Sequence, residues 1–164
     1  MSKIAGIYWD DTAAAPGISL SVYFSGCHFH CPGCHNPEAQ DFNYGREYDL
    51  DICQEIMQKL NKNGVMRTLS ILGGEPLADE NLEDVMNLIG WCKLDYPDLK
   101  IYLWTGYTME ELEKRDNRTL DHILHNITCL IDGRYEQDKR DTTLPLRGSS
   151  NQRIIYMEKN NVNN

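Results

Sequence analysis

The sequence predicts an α/β fold built on a half-open parallel β-sheet, and three observations lead to this prediction. Short segments with the apolar alternation of strands recur along the chain, and segments with helical apolar spacing lie between them. Strands that alternate with helices of about 10–14 residues form βαβ units and hence parallel sheets. About four such units follow residue 45, which is too few for a closed eight-unit barrel of about 250 residues.

Strands are expected where apolar residues occupy every second position. The clearest is residues 18–24, in which Leu20, Val22 and Phe24 alternate with more polar neighbours. A turn-rich segment, residues 25–45, follows it. The other strands are expected at residues 3–9, 68–72, 100–104, 128–131 and 153–157.

Helices are expected where apolar residues recur every three to four positions. The first spans residues 49–62, with Gly64 as its stop, and the second spans residues 81–94 and ends before Pro97. Two shorter helices are expected at residues 109–115 and 120–125.

The composition is that of an acidic globular protein. The 164 residues include 16 Lys and Arg against 25 Asp and Glu, for a net charge of −9. This charge argues against nucleic acid as a partner, because phosphate binding needs a basic surface. No apolar run reaches the ~18–20 residues of a membrane span, and the N-terminus lacks a secretory signal, so a cytoplasmic protein without a membrane partner is expected. Residues 1–158 should form one domain and the Asn-rich residues 159–164 a disordered tail.

Three of the six cysteines lie close together, at Cys27, Cys31 and Cys34, in the spacing C-x3-C-x2-C. Thiolates are the ligands of soft metal sites, chiefly zinc and iron–sulfur clusters. The loop alone leaves four interpretations open: a zinc site completed by a nearby histidine, a 4Fe–4S cluster with three protein ligands, a CxxC redox pair, and structural cysteines without a metal. The other cysteines occupy apolar positions and are expected in the core: Cys53, Cys92 and Cys129.

A second motif, Gly73-Gly74-Glu75-Pro76, begins 39 residues after Cys34, at the expected end of a strand. Two glycines there let the backbone approach a ligand closely. Glu75 can accept a hydrogen bond from an ammonium group, and Pro76 fixes the direction in which the chain leaves the strand. Together with the cysteine spacing, this motif favours an iron–sulfur cluster over zinc.

With these two motifs the sequence resembles the radical S-adenosylmethionine superfamily. The resemblance implies a partial, half-open parallel βα barrel. It implies that Cys27, Cys31 and Cys34 hold a 4Fe–4S cluster, while the amino and carboxylate groups of S-adenosylmethionine bind the fourth iron. Many members carry an aromatic residue before the third cysteine; this chain has Gly33 there, so the backbone of Gly33 and His35 is expected to contact the adenine. The implied S-adenosylmethionine contacts are Gly33, Cys34, His35, Gly73, Gly74, Glu75 and Pro76.

Further segments resemble a narrower family, the proteins that activate anaerobic ribonucleoside-triphosphate reductases. These segments are residues 31–36, 73–77, 103–107, 132–135 and 147–152. The resemblance implies that the chain cleaves S-adenosylmethionine and takes a hydrogen atom from a glycine of the large reductase subunit, which leaves a glycyl radical. It also implies a low-potential electron donor such as flavodoxin.

Several alternatives stay open at the level of the sequence. Residues 103–107 either form an ordinary core strand and turn or place Thr105 or Tyr107 in the S-adenosylmethionine pocket. The basic segment 132–153 is either a solvated loop or a dock for the reductase or for the carboxylate of S-adenosylmethionine. Two other functions compete: a radical enzyme acting on a small molecule, of the 7-carboxy-7-deazaguanine synthase type, and a non-catalytic zinc-binding adaptor. The shortness of the chain weighs against the small-molecule enzyme, because few residues are left to enclose such a substrate.

Overall fold

The computed structural model describes residues 1–158, which form one seven-stranded sheet with four α-helices. The strands are β1 (Lys3–Asp11), β2 (Ser19–Phe24), β3 (Arg46–Glu47), β4 (Thr68–Gly73), β5 (Ile101–Trp104), β6 (Cys129–Asp132) and β7 (Arg153–Tyr156). The helices are α1 (Leu50–Leu60), α2 (Leu82–Asp95), α3 (Met109–Glu113) and α4 (Arg118–Asn126). The tail expected at residues 159–164 lies outside the described residues.

The sheet is mixed rather than parallel, with the strand order β3-β1-β2-β4-β5-β6-β7. The central strands β2, β4, β5 and β6 are parallel, whereas the β1–β3, β1–β2 and β6–β7 pairs are antiparallel. The expected partial, half-open parallel βα barrel is therefore wrong. The connections give the reason. Residues 12–18 are too few for a parallel crossover, which needs a dozen or more residues, and residues 133–152 contain no α-helix that could form one.

The helices cover one face of the sheet and bury the main core against it. In β2, Leu20, Val22 and Phe24 point into this core and are fully buried. The helices contribute the inward-facing stripes that their apolar spacing predicts, centred on residues such as Ile56 of α1 and Leu88 of α2. The expected burial of three cysteines is confirmed: Cys53 and Cys92 lie in this core, and Cys129 lies in a smaller cluster on the opposite face.

Three helices begin at side chains that accept hydrogen bonds from the first turn. Asp49 accepts from the backbone N–H of Ile52 at 2.9 Å and so caps α1. Thr108 and Glu111 form a reciprocal capping box at the start of α3, and Asn117 caps α4. None of the helices within residues 1–158 has the length and apolar character needed to span a bilayer.

Parallel pairing brings the carboxyl ends of the central strands to one edge of the sheet. Phe24 at the end of β2 pairs in register with Gly73 at the end of β4, and Trp104 at the end of β5 pairs with Ile131 of β6. The segments that follow these ends therefore meet. They are the cysteine loop after β2, the Gly73–Pro76 turn after β4, Thr105 after β5 and the basic segment after β6.

Candidate active site

A cavity of about 440 Å³ lies on the sheet face opposite the helices. Small-molecule sites typically measure about 300–1,000 Å³. Its floor includes Tyr23, Leu72 and Trp104, whose chain neighbours point into the helix-covered core on the other side. Its upper wall consists of the segments that follow the parallel strands, which is where ligands bind in α/β sheets.

All three cysteines of the C-x3-C-x2-C loop line this cavity and are partly buried. The backbone N–H of Cys27 donates to the carbonyl of Gln40 at 3.0 Å, which closes the base of the loop. The N–H of Cys34 donates to the carbonyl of Cys31 at 3.1 Å, so a tight turn joins the second and third cysteines. The thiols therefore face one shared space from a hydrogen-bonded loop.

The surroundings of Cys27 and Cys31 favour the protonated thiol. Burial raises the pKa of Cys27, and the N–H of Phe29, which donates to its sulfur at 3.5 Å, opposes the increase. Burial also raises the pKa of Cys31, and the neighbouring Cys34 adds to this effect. Metal binding at these thiols would therefore release protons, because only the thiolate is a ligand.

The three cysteines that line the cavity are the residues of the loop that could hold a metal or a cluster. Among residues 1–158, no three His, Cys, Asp or Glu side chains are placed to hold one metal ion together. A structural zinc site would need such convergence, with ligand atoms about 2.0–2.3 Å from one ion. A 4Fe–4S cluster instead takes each thiolate on a different iron, so its ligands line a wider space.

Glu75 is buried and links the turn after β4 to the end of β5. Its Oε1 accepts from the N–H of Leu77 and from the hydroxyl of Thr105, both at 2.8 Å, and its Oε2 accepts from the N–H of Gly106 at 2.6 Å. Burial raises the pKa of Glu75 to about 7, although the bonds from Gly106, Thr105 and Leu77 oppose the increase. Glu75 and Thr105 are therefore hydrogen-bonded to each other at the cavity wall.

The two glycines of the turn allow direct backbone contact with the cysteine loop. Gly73 has φ +131°, and a Cβ there would lie 2.0 Å from the carbonyl oxygen of Phe24. A Cβ on Gly74 would lie 2.6 Å from the carbonyl oxygen of Gly26. In place of side chains, the N–H of Gly74 donates to Phe24 at 2.8 Å and that of Glu75 donates to Gly26 at 2.7 Å. The turn and the base of the cysteine loop are thus joined through their backbones.

Most of the site residues expected from the sequence lie on this one cavity. Those that line it are Cys27, Cys31, Cys34, His35, Gly73, Gly74, Glu75 and Thr105. Gly33 and Pro76 are not among its lining residues, and Gly33 packs against Gln137, whose Oε1 would be 2.1 Å from an added Cβ. The individual roles of these residues stay predictions.

Phe29, the aromatic residue of the cysteine loop, was not among the predicted site residues, although it lines the cavity. Phe29 lies against Gly106, edge-on to Tyr107 with the ring centroids 4.7 Å apart, and the guanidinium of Arg134 lies 4.2 Å above its ring centroid. Phe29 and Arg134 both line the cavity. An aromatic residue placed between two cysteines of the motif is the signal that could have indicated this contact.

Three arginines of the basic segment 132–153 have partners within the protein, so this segment is not simply a solvated loop. Arg134 forms an ion pair with Glu111 of α3, and Arg153 pairs with the buried Asp132 and with Glu110. Arg147 lines the cavity, where its guanidinium donates to the carbonyl of Gln152 at 3.3 Å. The segment therefore closes one side of the cavity.

Comparison with known proteins defines the class of protein. Residues 13–155 match the family model described as "4Fe-4S single cluster domain", so the chain is an iron–sulfur protein with one 4Fe–4S cluster. The zinc interpretation left open by the cysteine loop is therefore wrong.

Curated relatives then define the family. The chain is 39% identical over 151 residues to the anaerobic ribonucleoside-triphosphate reductase-activating protein of Pasteurella multocida, covering 91% of this chain and 93% of the relative. The proteins of the same name from Escherichia coli K12 and Enterobacteria phage T4 are each 32% identical over 148 residues, or 90% of this chain, and the match covers 94% and 90% of their lengths. This chain belongs to the family of anaerobic ribonucleoside-triphosphate reductase-activating proteins, and it is an iron–sulfur activating enzyme.

Proposed function

We propose that this chain activates an anaerobic ribonucleoside-triphosphate reductase by cleaving S-adenosylmethionine reductively and generating a glycyl radical on the large reductase subunit. One observation carries the proposal: the three cysteines and the Gly73–Glu75 turn, which are far apart in sequence, line the same cavity. Family membership supports the choice of a protein substrate over a small molecule.

The proposed chemistry needs one electron and one hydrogen atom. A bound, reduced 4Fe–4S cluster would supply the electron for reductive cleavage of S-adenosylmethionine to methionine, and the 5′-deoxyadenosyl group would accept one hydrogen atom from the reductase glycine and leave as 5′-deoxyadenosine. The protein's own contribution is to bind, to orient and to exclude water. Cys27, Cys31 and Cys34 serve as the three protein ligands and leave one iron for S-adenosylmethionine.

The turn after β4 serves as the methionine-binding edge of the cavity. The backbone at Gly73 and Gly74 lies at the wall without side chains, so a ligand can approach it closely. Glu75 and Thr105 hold this backbone in position through their mutual hydrogen bond, and Pro76 directs the chain away from the cavity. The backbone of Cys34 and His35, which line the cavity, completes the site on the adenine side, and Gly33 lies just outside it against Gln137.

The proposed setting is the cytoplasm, with two protein partners. The large subunit of the reductase presents its glycine to the cavity, and a low-potential donor such as flavodoxin delivers the electron. The net charge of −9 supports protein partners rather than nucleic acid. Residues 1–158 act as a single catalytic unit in this proposal.

Cluster loading tests the ligand assignment. Anaerobically reconstituted protein should contain about four irons and four sulfides per chain. Cys27→Ala, Cys31→Ala and Cys34→Ala should each abolish this loading. The buried cysteines provide matched controls, so Cys53→Ala, Cys92→Ala and Cys129→Ala should keep the cluster. Loss of the cluster in a control variant whose fold is intact would contradict the assignment.

Radical formation tests the substrate. With the reductase, S-adenosylmethionine and a reductant, a glycyl radical should appear as a doublet in electron paramagnetic resonance. A reductase in which the radical glycine is changed to alanine should still bind but give no doublet. A full-strength doublet from that reductase would place the radical elsewhere and refute the proposed function.

A further inference from the structure

We propose that Asn81 is a positioning residue, whose side-chain amide holds the Gly73–Glu75 turn at a fixed distance from the cysteine loop and so determines how tightly S-adenosylmethionine binds. This inference rests on the proposed function, because it takes the loop as the cluster site and the turn as the methionine site. It assigns a role to a residue that lies outside both motifs and is not among the lining residues of the cavity.

Asn81 is buried at the start of α2, where its side chain contacts both segments that build the site. Only 1% of its surface is exposed. Its Nδ2 donates to the carbonyl oxygen of Ser25 and to that of Glu75, each at 3.0 Å. Ser25 lies two residues before Cys27, and Glu75 is the third residue of the turn. One nitrogen therefore connects the base of the cysteine loop with the turn.

The two partners determine the orientation of the amide. Both are carbonyl oxygens, so the nitrogen of Asn81 has to face them. Its Oδ1 is buried and receives no hydrogen bond from any group within residues 1–158. An asparagine at the start of a helix usually caps the first turn with this oxygen, whereas the side chain of Asn81 does not cap α2. The side chain thus joins the loop and the turn instead of capping its own helix.

The backbone of Asn81 gives its amide a fixed position. Its N–H donates to the carbonyl of Ala78 at 2.9 Å, and its carbonyl accepts from the N–H of Val85 at 3.0 Å. Leu82 and Val85, which follow in α2, are buried in the main core. The amide therefore holds the loop and the turn against a helix that packing keeps in place.

These bonds complete a junction that the backbone makes only in part. The N–H groups of the turn donate to the carbonyls of Phe24 and Gly26, the residues on either side of Ser25. The carbonyl of Ser25 accepts from Asn81. Three consecutive carbonyls at the base of the loop are thus held, two by the turn and one by the residue that also holds the turn.

The consequence concerns a ligand that has to contact both segments. In the proposed function, S-adenosylmethionine binds the cluster held by the loop and, at the same time, the backbone of the turn. Such two-point binding is tight where the separation of the two points is preset, because ordering them on binding would weaken the affinity. Loss of the two hydrogen bonds that preset this separation should weaken binding about tenfold.

The test is a titration of the electron paramagnetic resonance signal of the reduced cluster with S-adenosylmethionine, in the anaerobically reconstituted full chain. In the wild type, the signal should change as the ligand binds the iron that has no protein ligand. Asn81→Ala should load a full cluster but need about tenfold more S-adenosylmethionine for the same change. Asn81→Asp keeps the size of the side chain but can donate at most one of the two bonds, so it should also weaken binding.

Asn117→Ala is the matched control, because it makes the same chemical change at the asparagine that precedes α4. The side chain of Asn117 accepts from the N–H groups of Thr119 and Leu120, at 2.9 and 3.1 Å, and Asn117 is not among the lining residues of the cavity. Its removal should lower the melting temperature, as the loss of a helix cap does, and leave the titration unchanged.

The outcomes separate this inference from the proposed function. Unchanged S-adenosylmethionine affinity in Asn81→Ala, or a loss equal to that in Asn117→Ala, would overturn the inference and leave the proposed function standing. If Asn81→Ala fails to fold or to load a cluster, Asn81→Asp decides: weaker binding with a full cluster supports the inference, and unchanged binding overturns it. Failure of both variants to fold or to load would also overturn it, because Asn81 would then serve the fold or the loop itself. A wild-type signal that S-adenosylmethionine leaves unchanged would refute the proposed function and, with it, this inference.

Discussion

Replacing Glu75 by glutamine tests the hydrogen-bonded link between the ends of β4 and β5. Two of the three donors to its carboxylate are backbone N–H groups, from Leu77 on Oε1 and from Gly106 on Oε2. A glutamine has one oxygen and one amide nitrogen. In either orientation its NH2 group faces one of these two N–H groups. Glu75→Gln therefore creates a buried donor–donor conflict that rotation of the side chain cannot relieve.

The expected loss of unfolding free energy comes from one buried N–H donor that has no acceptor in the variant. Such a group costs about 1–3 kcal/mol, and for a chain of this size that lowers the melting temperature by about 2–12 °C. The comparison is sharpest at pH 6, below the pKa of about 7 that burial gives Glu75. At that pH the wild-type carboxyl is mostly neutral, and its proton can be donated to the hydroxyl of Thr105 while both oxygens still accept. The variant then differs mainly by the conflict.

Anaerobic urea unfolding at pH 6, followed by tryptophan fluorescence, measures the difference. Glu113→Gln is the matched control, because it makes the same chemical change at an exposed position at the end of α3 and should alter stability by less than about 0.5 kcal/mol. If Glu75→Gln unfolds at the same urea concentration as the control, then the two N–H groups do not converge on this side chain, and the reasoning about the link is refuted.

Two further predictions concern the same region. The pKa of Glu75 is raised above the value of 4.5 expected when the chain is unfolded, so folding favours the protonated form and stability falls as pH rises through about 7. Between pH 6 and pH 8 the wild type should lose about 1.4 kcal/mol of unfolding free energy relative to Glu75→Gln. Parallel pH profiles of the two proteins would contradict this. Gly106→Ala should cost about 1–3 kcal/mol and reduce cluster loading, because its Cβ would lie 2.6 Å from the ring of Phe29. Gly90→Ala in α2 has open space and should instead stabilise by about 0.4–1 kcal/mol, so equal effects of the two alanines would rule out the clash.

The positions of the elements could be predicted well from local patterns, but their pairing could not. The alternation at residues 18–24 marks β2, and the helix expected at residues 81–94 is α2, Leu82–Asp95. Strand β3 has two residues, Arg46–Glu47, which is too short for any period to show. The prediction of a parallel barrel failed at the edges of the sheet, since it was drawn from the alternation of strands and helices and ignored the short connection before β2.

Part of the candidate site could likewise be predicted from the sequence, and part could not. That the cysteine loop and the Gly73–Pro76 turn would meet follows from the rule that ligands bind at the carboxyl ends of parallel strands. The contacts of Phe29 with Gly106 and Arg134 could not be predicted, because they join segments about 75 and 105 residues apart through packing alone. The same holds for the hydroxyl of Thr105, which proves to bond to Glu75.

The backbone junction between the cysteine loop and the Gly73–Glu75 turn has a consequence for model chemistry. A synthetic peptide that copies only residues 26–36 carries every cysteine of the motif, but it lacks the N–H groups of Gly74 and Glu75 that hold the base of the loop through Phe24 and Gly26. Such a peptide would bind iron and sulfide, but no contact outside the loop would fix the relative positions of its cysteines. A small protein that reproduces the site has to include the ends of β2 and β4 and to keep glycine at positions 73 and 74, where the turn contacts the cysteine loop.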